Sequence, residues 1–166
     1  AKLERPCKMK LYLVRHGKAE EAVDESGERP LSQRGMADVE AQAKFLASAN
    51  VRVEQVFHSG KLRARQTAEI LSALVAPGVA LQKIDNITPM DDTDFLAAQL
   101  QNWDVDTMVC GHNPFMERMA ARLLAGDDEE NVVIVKTATV MCFERFANKW
   151  VMDWMVVPSL TRDIKL

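Results

Sequence analysis

Residues 11–19 read LYLVRHGKA, an apolar run that stops at an arginine, a histidine and a glycine. Such a run, taken over residues 9–14, predicts a buried strand that ends just before the glycine. In open α/β sheets, ligands bind at the carboxyl ends of the strands. We therefore expect Arg15 and His16 to lie at a functional site.

The side chains at this strand end suit a phosphoryl group. A neutral imidazole is a nucleophile near pH 7, so His16 can attack phosphorus and hold the phosphoryl group covalently. The planar guanidinium of Arg15 matches phosphoryl oxygens, and Gly17 allows the backbone to approach closely. The alternative is a capped strand end with an exposed Arg-His pair, because three residues alone are modest evidence.

Length and composition indicate an ordinary globular protein. The chain has 166 residues, of which 48% are hydrophobic, and a net charge of −3. We expect residues 1–166 to form a single domain without a cap insertion, and to act as a monomer. The charge argues against general binding of nucleic acid or anionic membranes. Without a long apolar run or a signal-peptide core, the protein is predicted to be cytoplasmic.

The cysteines and histidines give no metal pattern. The chain has three cysteines, and Cys110 and Cys142 lie in apolar runs that favour buried, reduced thiols. Neither Cys-x-x-Cys nor His-x-x-His occurs, so we expect no metal and no cofactor. The short polar segment of residues 1–8 is expected to be a frayed end.

The rest of the chain alternates strands and helices. An acidic, exposed loop is predicted over residues 20–29. Further strands are predicted over residues 53–58, 80–84, 107–110, 132–146 and 150–156, the last two joined as a hairpin. Helices are predicted from Ser32 as N-cap to about residue 49, from Ser59 as cap to about residue 76, over residues 95–100, and from Asn113 as N-cap, with Pro114 first, to Gly126. This order predicts an α/β fold with helices on both faces of a mostly parallel sheet that has an antiparallel edge.

Three predicted strand ends carry polar side chains of the same chemical kind. Arg15 and His16 end the first strand, Arg63 follows the second, and His112 follows a later one. Because parallel strands end at one edge of a sheet, two imidazoles and two arginines are expected around one anion. Helix N-termini nearby would add backbone donors. His58, just before the second of these segments, is interpreted as structural.

Four motifs together resemble those of the histidine phosphatase superfamily. They are LVRHGKA at residues 13–19, RPLSQRG at 29–35, SGKLRARQT at 59–67 and GHNP at 111–114. The form of the first motif and the short chain are similar to the SixA-type branch of phosphohistidine phosphatases. The resemblance implies a three-layer α/β/α sandwich of the phosphoglycerate mutase-like kind and a metal-independent enzyme.

The resemblance also implies roles for individual residues. His16 is expected to accept the phosphoryl group, with Arg15, Arg63 and His112 forming the phosphate pocket. Gly17 and Asn113 are expected to contribute to phosphate binding. The implied partner is a protein that carries phosphohistidine, for example a phosphorelay domain in signal transduction, or else a small phosphate compound.

The chain departs from the family pattern at two places. Gly60 stands where the family usually has proline. Where many members carry a glutamate that protonates the leaving group, this chain has Asn86, with Asp85 beside it as the candidate general acid. Phosphohistidine departs as neutral imidazole and needs such a donor less than an alkoxide does. The uncertain acid therefore favours phosphohistidine as substrate.

Other functions can be compared with the sequence. A cysteine-dependent phosphatase needs Cys-x5-Arg, and no cysteine here has arginine at that spacing. The segment from Asp104 to Met108 is near an aspartate-nucleophile motif, but it precedes a strand instead of following one. Two alternatives stay open: a small-molecule phosphomonoesterase of the same superfamily, and a non-catalytic module that binds phosphate.

Overall fold

The computed structural model describes residues 9–166, which form a six-stranded sheet with helices on both faces. The strands are β1 Lys10–Arg15, β2 Gln55–His58, β3 Leu81–Lys83, β4 Thr107–Gly111, β5 Val140–Phe146 and β6 Lys149–Val156. The helices are α1 Gln33–Ser48, α2 Leu62–Val75, α3 Asp94–Leu100, α4 Phe115–Ala125 and α5 Pro158–Thr161. The predicted frayed segment of residues 1–8 lies outside the described residues.

The sheet has the order β3-β2-β4-β1-β5-β6. The first four strands of that order are parallel, and β5 and β6 pair antiparallel at the other edge. The central strand β1 pairs with β4 so that Arg15 lies opposite Gly111. The predicted α/β fold with a mostly parallel sheet and an antiparallel edge is therefore confirmed.

Alternation along β1 divides the core into two layers. Tyr12 and Val14 pack with α1 and α2, whereas Leu11 and Leu13 pack with α3 and α4. Because a strand presents successive side chains to opposite faces, an unbroken apolar run fits a strand that is covered on both sides. The result is the expected three-layer arrangement. The four central residues of β1 are buried, and its two end residues, Lys10 and Arg15, are partly exposed.

The strand predicted over residues 132–146 is too long, since β5 begins at Val140. The preceding residues turn back over the carboxyl end of β1. There the Ala138 N–H donates to the carbonyls of Arg15 and His16 at 3.1 and 3.0 Å, and Ala138 has a φ of 60°. Apolar residues predicted a strand here because hydropathy alone does not distinguish a strand from a loop that packs on a site.

Of the three N-cap residues predicted from the sequence, one is correct. The hydroxyl of Ser32 accepts from the Gly35 N–H at 3.0 Å and caps α1, as predicted. Ser59 does not cap α2, whose N-cap is Lys61. Asn113 does not cap α4 either, since Pro114 occupies the N-cap position. Both of the wrong predictions place a side chain that serves the site instead of the helix.

Several smaller predictions can be compared with the structure. The loop from residue 20 is exposed up to residue 27, and the thiols of Cys110 and Cys142 are free and buried, as expected. The hairpin turn lies one residue earlier than predicted, with Ala147 at a φ of 54°. Helix α5 was not predicted. Within residues 9–166, no helix has the length and apolar character needed to cross a membrane.

The first turn of α1 packs directly on the backbone that follows β1. A Cβ at Gly35 would overlap the carbonyl oxygen of Lys18, which also accepts hydrogen bonds from the N–H and hydroxyl of Ser32. This contact requires glycine for reasons of space. It fixes the loop after His16 against a helix.

We predict that Gly35→Ala lowers the free energy of unfolding by about 3 kcal/mol, the upper range for overpacking, although alanine favours helix. The control is Gly78→Ala, where φ is +81° but no atom lies within 4 Å, so only backbone strain applies. Urea unfolding measures both. Amide chemical shifts of residues 16–19 should move in Gly35→Ala alone. Equal destabilisation with unmoved shifts would contradict the prediction.

Candidate active site

The pairing of β1 with β4 brings the two predicted site histidines together. Each follows its strand directly, and the His16 N–H donates to the Gly111 carbonyl at 2.9 Å. The ring centroids of His16 and His112 are 5.1 Å apart, with an angle of 56° between the planes. The predicted convergence of strand ends is thus found in the structure.

The His16 ring is held in one orientation by its own loop. Its Nδ1 lies 2.6 Å from the Gly17 carbonyl oxygen, which can only accept, so Nδ1 carries the proton. In the neutral ring, Nε2 is then the atom with the free lone pair, and it accepts from Arg63 Nε at 3.3 Å. A Cβ on Gly17 would lie 2.8 Å from a methyl carbon of Val39, so this loop needs the close approach that glycine allows.

Three arginines surround these rings. Arg63 contacts His16, as described above. Arg15 donates from NH1 to the Val135 carbonyl at 2.9 Å, and its buried Nε has no partner among the described residues. Arg29 donates from Nε to the Glu20 carbonyl at 2.6 Å. Guanidinium groups stay protonated at all ordinary pH values, so they form a permanent cluster of positive charge.

His112 is 1% exposed and is tied to the loop after β2. Its Nε2 lies 2.6 Å from the hydroxyl of Ser59. Its Nδ1 is buried, without a partner among the described residues. Ser59 therefore contacts a site histidine, which explains why it does not cap α2.

Asn113 lines the site, and its amide nitrogen binds α4 and the loop before β5. Its Nδ2 donates to Glu117 Oε1 at 3.0 Å and to the Val135 carbonyl at 2.8 Å. Val135 in turn donates its N–H to the same carboxylate oxygen at 3.0 Å. Both amide protons of Asn113 are thereby engaged with protein atoms. Its predicted role in phosphate binding stays a prediction.

A cavity of about 300 Å³ opens between these side chains. Its lining residues are Arg15, His16, Lys18, Ala19, Glu21, Arg29, Arg63, Pro89, His112, Asn113 and Thr137. Five of the seven predicted site residues therefore line the cavity. Gly17 does not line it, but its carbonyl oxygen contacts His16 Nδ1. A larger cavity of about 970 Å³ between α3, α4 and the β5–β6 turn shares none of this lining.

Asp85, the candidate general acid, is not brought to this cavity. Its side chain is 77% exposed and pairs with Lys83 at 3.4 Å, and neither residue lines the site. The neighbouring Asn86 has a φ of 64°, so the chain turns at this point. Glu21 is the one carboxylate among the described lining residues, and it is exposed.

Sequence reasoning missed Lys18, Glu21 and Arg29 as lining residues. Lys18 and Arg29 lie within the quoted motifs, but neither follows a strand end, which was the signal used to choose candidates. His58, interpreted as structural, accepts from the Gly60 N–H at 3.0 Å through Nδ1 and does not line the cavity.

Burial keeps both site histidines uncharged. Burial, together with the positive charges of Arg63, Arg15 and Arg29, lowers the pKa of His16 to about 4. Burial likewise lowers the pKa of His112 to about 3, with nearby His16 and Arg63 as further causes. At neutral pH the site therefore combines fixed cations with neutral imidazoles, which suits binding an anion while leaving a nucleophile free.

The chain is similar in sequence to known proteins. A sequence profile described as histidine phosphatase superfamily (branch 1) matches residues 11–91. An uncharacterized protein, SYNPCC7002_A2622 from Picosynechococcus sp., is 30% identical over 138 residues, which cover 80% of this chain and 83% of that protein. The chain belongs to the histidine phosphatase superfamily.

Within the superfamily, the chain is SixA-like. Phosphohistidine phosphatase SixA of Escherichia coli strain K12 is 26% identical over 154 residues, covering 90% of this chain and 94% of that protein. The solved structure of the protein histidine phosphatase SixA complexed with tungstate superposes with a TM-score of 0.82 at 25% identity, covering 92% of this chain and 99% of that one. The resemblance and the fold predicted from the sequence are thereby confirmed, and the chain is a phosphatase of this superfamily.

Among residues 9–166, no group of three or more His, Cys, Asp and Glu side chains is arranged to hold a metal ion. The positive charge at the site comes instead from arginine and lysine side chains.

The buried histidines make stability depend on pH. An unfolded histidine has a pKa near 6.5, above the value of about 3 for folded His112, so the unfolded state binds a proton first as pH falls. Stability is thus lost from about pH 7 downwards. We predict that wild type loses about 1 kcal/mol more than His112→Gln between pH 7 and 5.5. Urea unfolding of both proteins at both pH values tests this, and parallel losses would contradict it.

Proposed function

We propose that this protein removes the phosphoryl group from phosphohistidine on a partner protein, through a phosphoryl intermediate on Nε2 of His16. The observation that carries the proposal is the orientation of the His16 ring. Its Nδ1 proton is held by the Gly17 carbonyl at 2.6 Å, so the lone pair of the neutral ring is on Nε2. There it accepts from Arg63 Nε at 3.3 Å, and it would be released when that guanidinium binds a phosphoryl oxygen. A neutral, oriented imidazole next to a fixed cation is suited to attack phosphorus.

The proposed reaction has two displacements at phosphorus. First, His16 Nε2 forms a bond to phosphorus while the bond to the substrate nitrogen breaks, and the substrate imidazole leaves with the electron pair. Then a water molecule attacks phosphorus, the bond to Nε2 breaks, and inorganic phosphate is released. Arg15, Arg63 and His112 would stabilise the phosphoryl oxygens in both steps without a metal ion.

The positions of Asp85 and Glu21 favour phosphohistidine over an alkyl phosphate ester as the substrate. An alkoxide needs a proton donor when it leaves, whereas a phosphohistidine protonated on its other ring nitrogen leaves as neutral imidazole. Asp85 is paired with Lys83 away from the cavity. Glu21 lines the cavity but is exposed. Neither carboxylate is therefore held by buried contacts in the position of a proton donor.

We further propose a folded protein as the partner, such as a phosphorelay domain that presents one phosphohistidine at its surface. The segment between β3 and β4 holds one helix, α3, of only seven residues. A cavity of about 300 Å³ with this surrounding admits a phosphorylated side chain that projects from another protein. The enzyme is proposed to act as a monomer in the cytoplasm.

The covalent step can be tested by trapping. We predict that quenching during turnover of a phosphohistidine protein labelled with ³²P leaves acid-labile, base-stable label on His16, with EDTA present throughout. His16→Ala should form no labelled enzyme and should not turn over. Arg63→Ala should lower kcat/KM by about 10²–10³-fold, as for the loss of one donor to an oxyanion.

The matched control for trapping is His58→Ala, which removes the one other histidine of the chain from outside the cavity. It should label normally. Turnover that persists in His16→Ala would exclude the covalent mechanism. Activity that EDTA abolishes and a divalent ion restores would exclude a metal-independent one.

A small-molecule phosphomonoesterase is the second candidate, and Glu21 is the observation in its favour. If Glu21 protonates an alkoxide, Glu21→Gln lowers kcat/KM for alkyl phosphates at least tenfold. We predict instead that Glu21→Gln changes hydrolysis of a phosphohistidine protein by less than threefold. We also predict that wild type prefers that protein to every alkyl phosphate tested.

The comparison needs a control carboxylate, and Asp85→Asn supplies one because Asp85 lies outside the cavity. It should leave both substrate classes unaffected. A sugar phosphate or nucleotide that reacts tenfold better than the phosphohistidine protein would refute the proposed substrate while leaving the role of His16 intact.

A further inference from the structure

Thr67 connects the helix that carries Arg63 to the loop that carries His16. It is fully buried in the second turn of α2 and does not line the cavity. Its hydroxyl oxygen accepts from the Gly17 N–H at 3.0 Å. The same hydroxyl donates to the Arg63 carbonyl at 2.8 Å. Each role of the hydroxyl thus has a defined partner.

These two bonds complete a closed circuit with the two described for His16. The Thr67 hydroxyl bonds the Gly17 N–H, and the Gly17 carbonyl bonds His16 Nδ1. On the other side of the ring, His16 Nε2 bonds Arg63 Nε. The circuit returns from the Arg63 carbonyl to the Thr67 hydroxyl. Every donor in the circuit has one acceptor, and the directions agree only if His16 is neutral with its proton on Nδ1.

The circuit joins atoms that are far apart in sequence. Gly17 and Thr67 are 50 residues apart, and His16 and Arg63 are 47 residues apart. Without the Thr67 hydroxyl, the Gly17 N–H would lose its acceptor, whereas the His16 carbonyl of the same peptide group would still accept from the Ala138 N–H. The acceptor for His16 Nδ1 is the carbonyl of Gly17. Any rotation of the Gly17 backbone would therefore also turn the nucleophile.

We propose that Thr67 is a positioning residue that fixes the tautomer and the direction of the His16 nucleophile relative to Arg63. Thr67 itself touches neither the phosphoryl group nor the leaving group, so its effect is transmitted through Gly17 and the Arg63 backbone. This inference rests on the proposed role of His16 as nucleophile. Misplacing a reacting atom by about 1 Å can cost about 10²-fold in rate, which sets the scale of the effect.

Thr67→Val tests the inference because valine keeps the shape of the side chain and removes only the hydroxyl. We expect kcat for a phosphohistidine protein to fall by about tenfold to a hundredfold, with KM changed by less than threefold. Thr67→Ser restores the hydroxyl and should recover most of kcat. The matched control is Thr107→Val, which makes the same change at a fully buried threonine of β4. The Thr107 hydroxyl lies within hydrogen-bond distance of the Val105 carbonyl at 2.8 Å and the Gln55 side chain at 3.1 Å.

A lower kcat in Thr67→Val could come from lost positioning of His16 or from lost stability. Nitrogen NMR of the full chain distinguishes these two causes. In wild type, His16 should show its proton on Nδ1, and the Gly17 amide should be protected from hydrogen exchange. In Thr67→Val we expect a mixture of tautomers and a faster exchange of that amide. Thr107→Val should be destabilised but should keep the wild-type tautomer and kcat.

The outcomes distinguish this inference from the proposed function. If Thr67→Val keeps kcat, or if wild-type His16 carries its proton on Nε2, Thr67 has no positioning role. If Thr67→Val does not fold, the wild-type tautomer and the kcat of Thr67→Ser still decide the question. If wild type forms no phosphoenzyme, the proposed function fails, whereas the tautomer and the Gly17 exchange still report whether the circuit exists.

Discussion

The register between β1 and β4 is the constraint on which the site depends. Because Arg15 lies opposite Gly111, the residues that follow the two strands are neighbours, and these are His16 and His112. The hydrogen bond from the His16 N–H to the Gly111 carbonyl extends the pairing by one residue beyond β1. A slip of one residue would exchange the faces, so that Leu11 and Leu13 would have to fit the layer that Tyr12 and Val14 now fill. Close packing of both layers therefore favours the register that aligns the histidines.

Burial determines the charge state of the histidines that this register brings together. The same low-polarity surroundings that keep His16 and His112 neutral leave the arginines protonated, since their intrinsic pKa values are far higher. The excess of positive charge would be unfavourable without compensation. Carbonyl groups supply part of it, from Val135 to Arg15 and from Glu20 to Arg29, and the charge of Glu117 also stabilises Arg15.

The sequence predicted those features that follow from strand direction and apolar periodicity. The four lining residues His16, Arg15, Arg63 and His112 were found because parallel strands end at one edge. Predictions failed where a polar side chain had two uses. Ser59 and Asn113 are good helix caps by residue type. Ser59 instead contacts His112, 53 residues away, and Asn113 donates to Glu117 within α4 and to the Val135 carbonyl, 22 residues away. Glu21 and Arg29 come from the loop after β1, whose path is set by tertiary contacts. Neither follows a strand end, so that signal does not select them, although Arg29 begins one of the quoted motifs.

Under the proposed function, the depth of the site selects the phosphoryl group and its mouth contributes much less. Arg63 and the two imidazoles are held by hydrogen bonds to other groups of the site. By contrast, Glu21 and Lys18 are exposed side chains. Exposed side chains are mobile and contribute little binding energy to a small ligand. Selection among phosphorylated molecules then depends on how readily the leaving group departs and on what surrounds it. A phosphohistidine on a folded protein meets the first condition through its neutral imidazole and can meet the second through contacts outside the cavity.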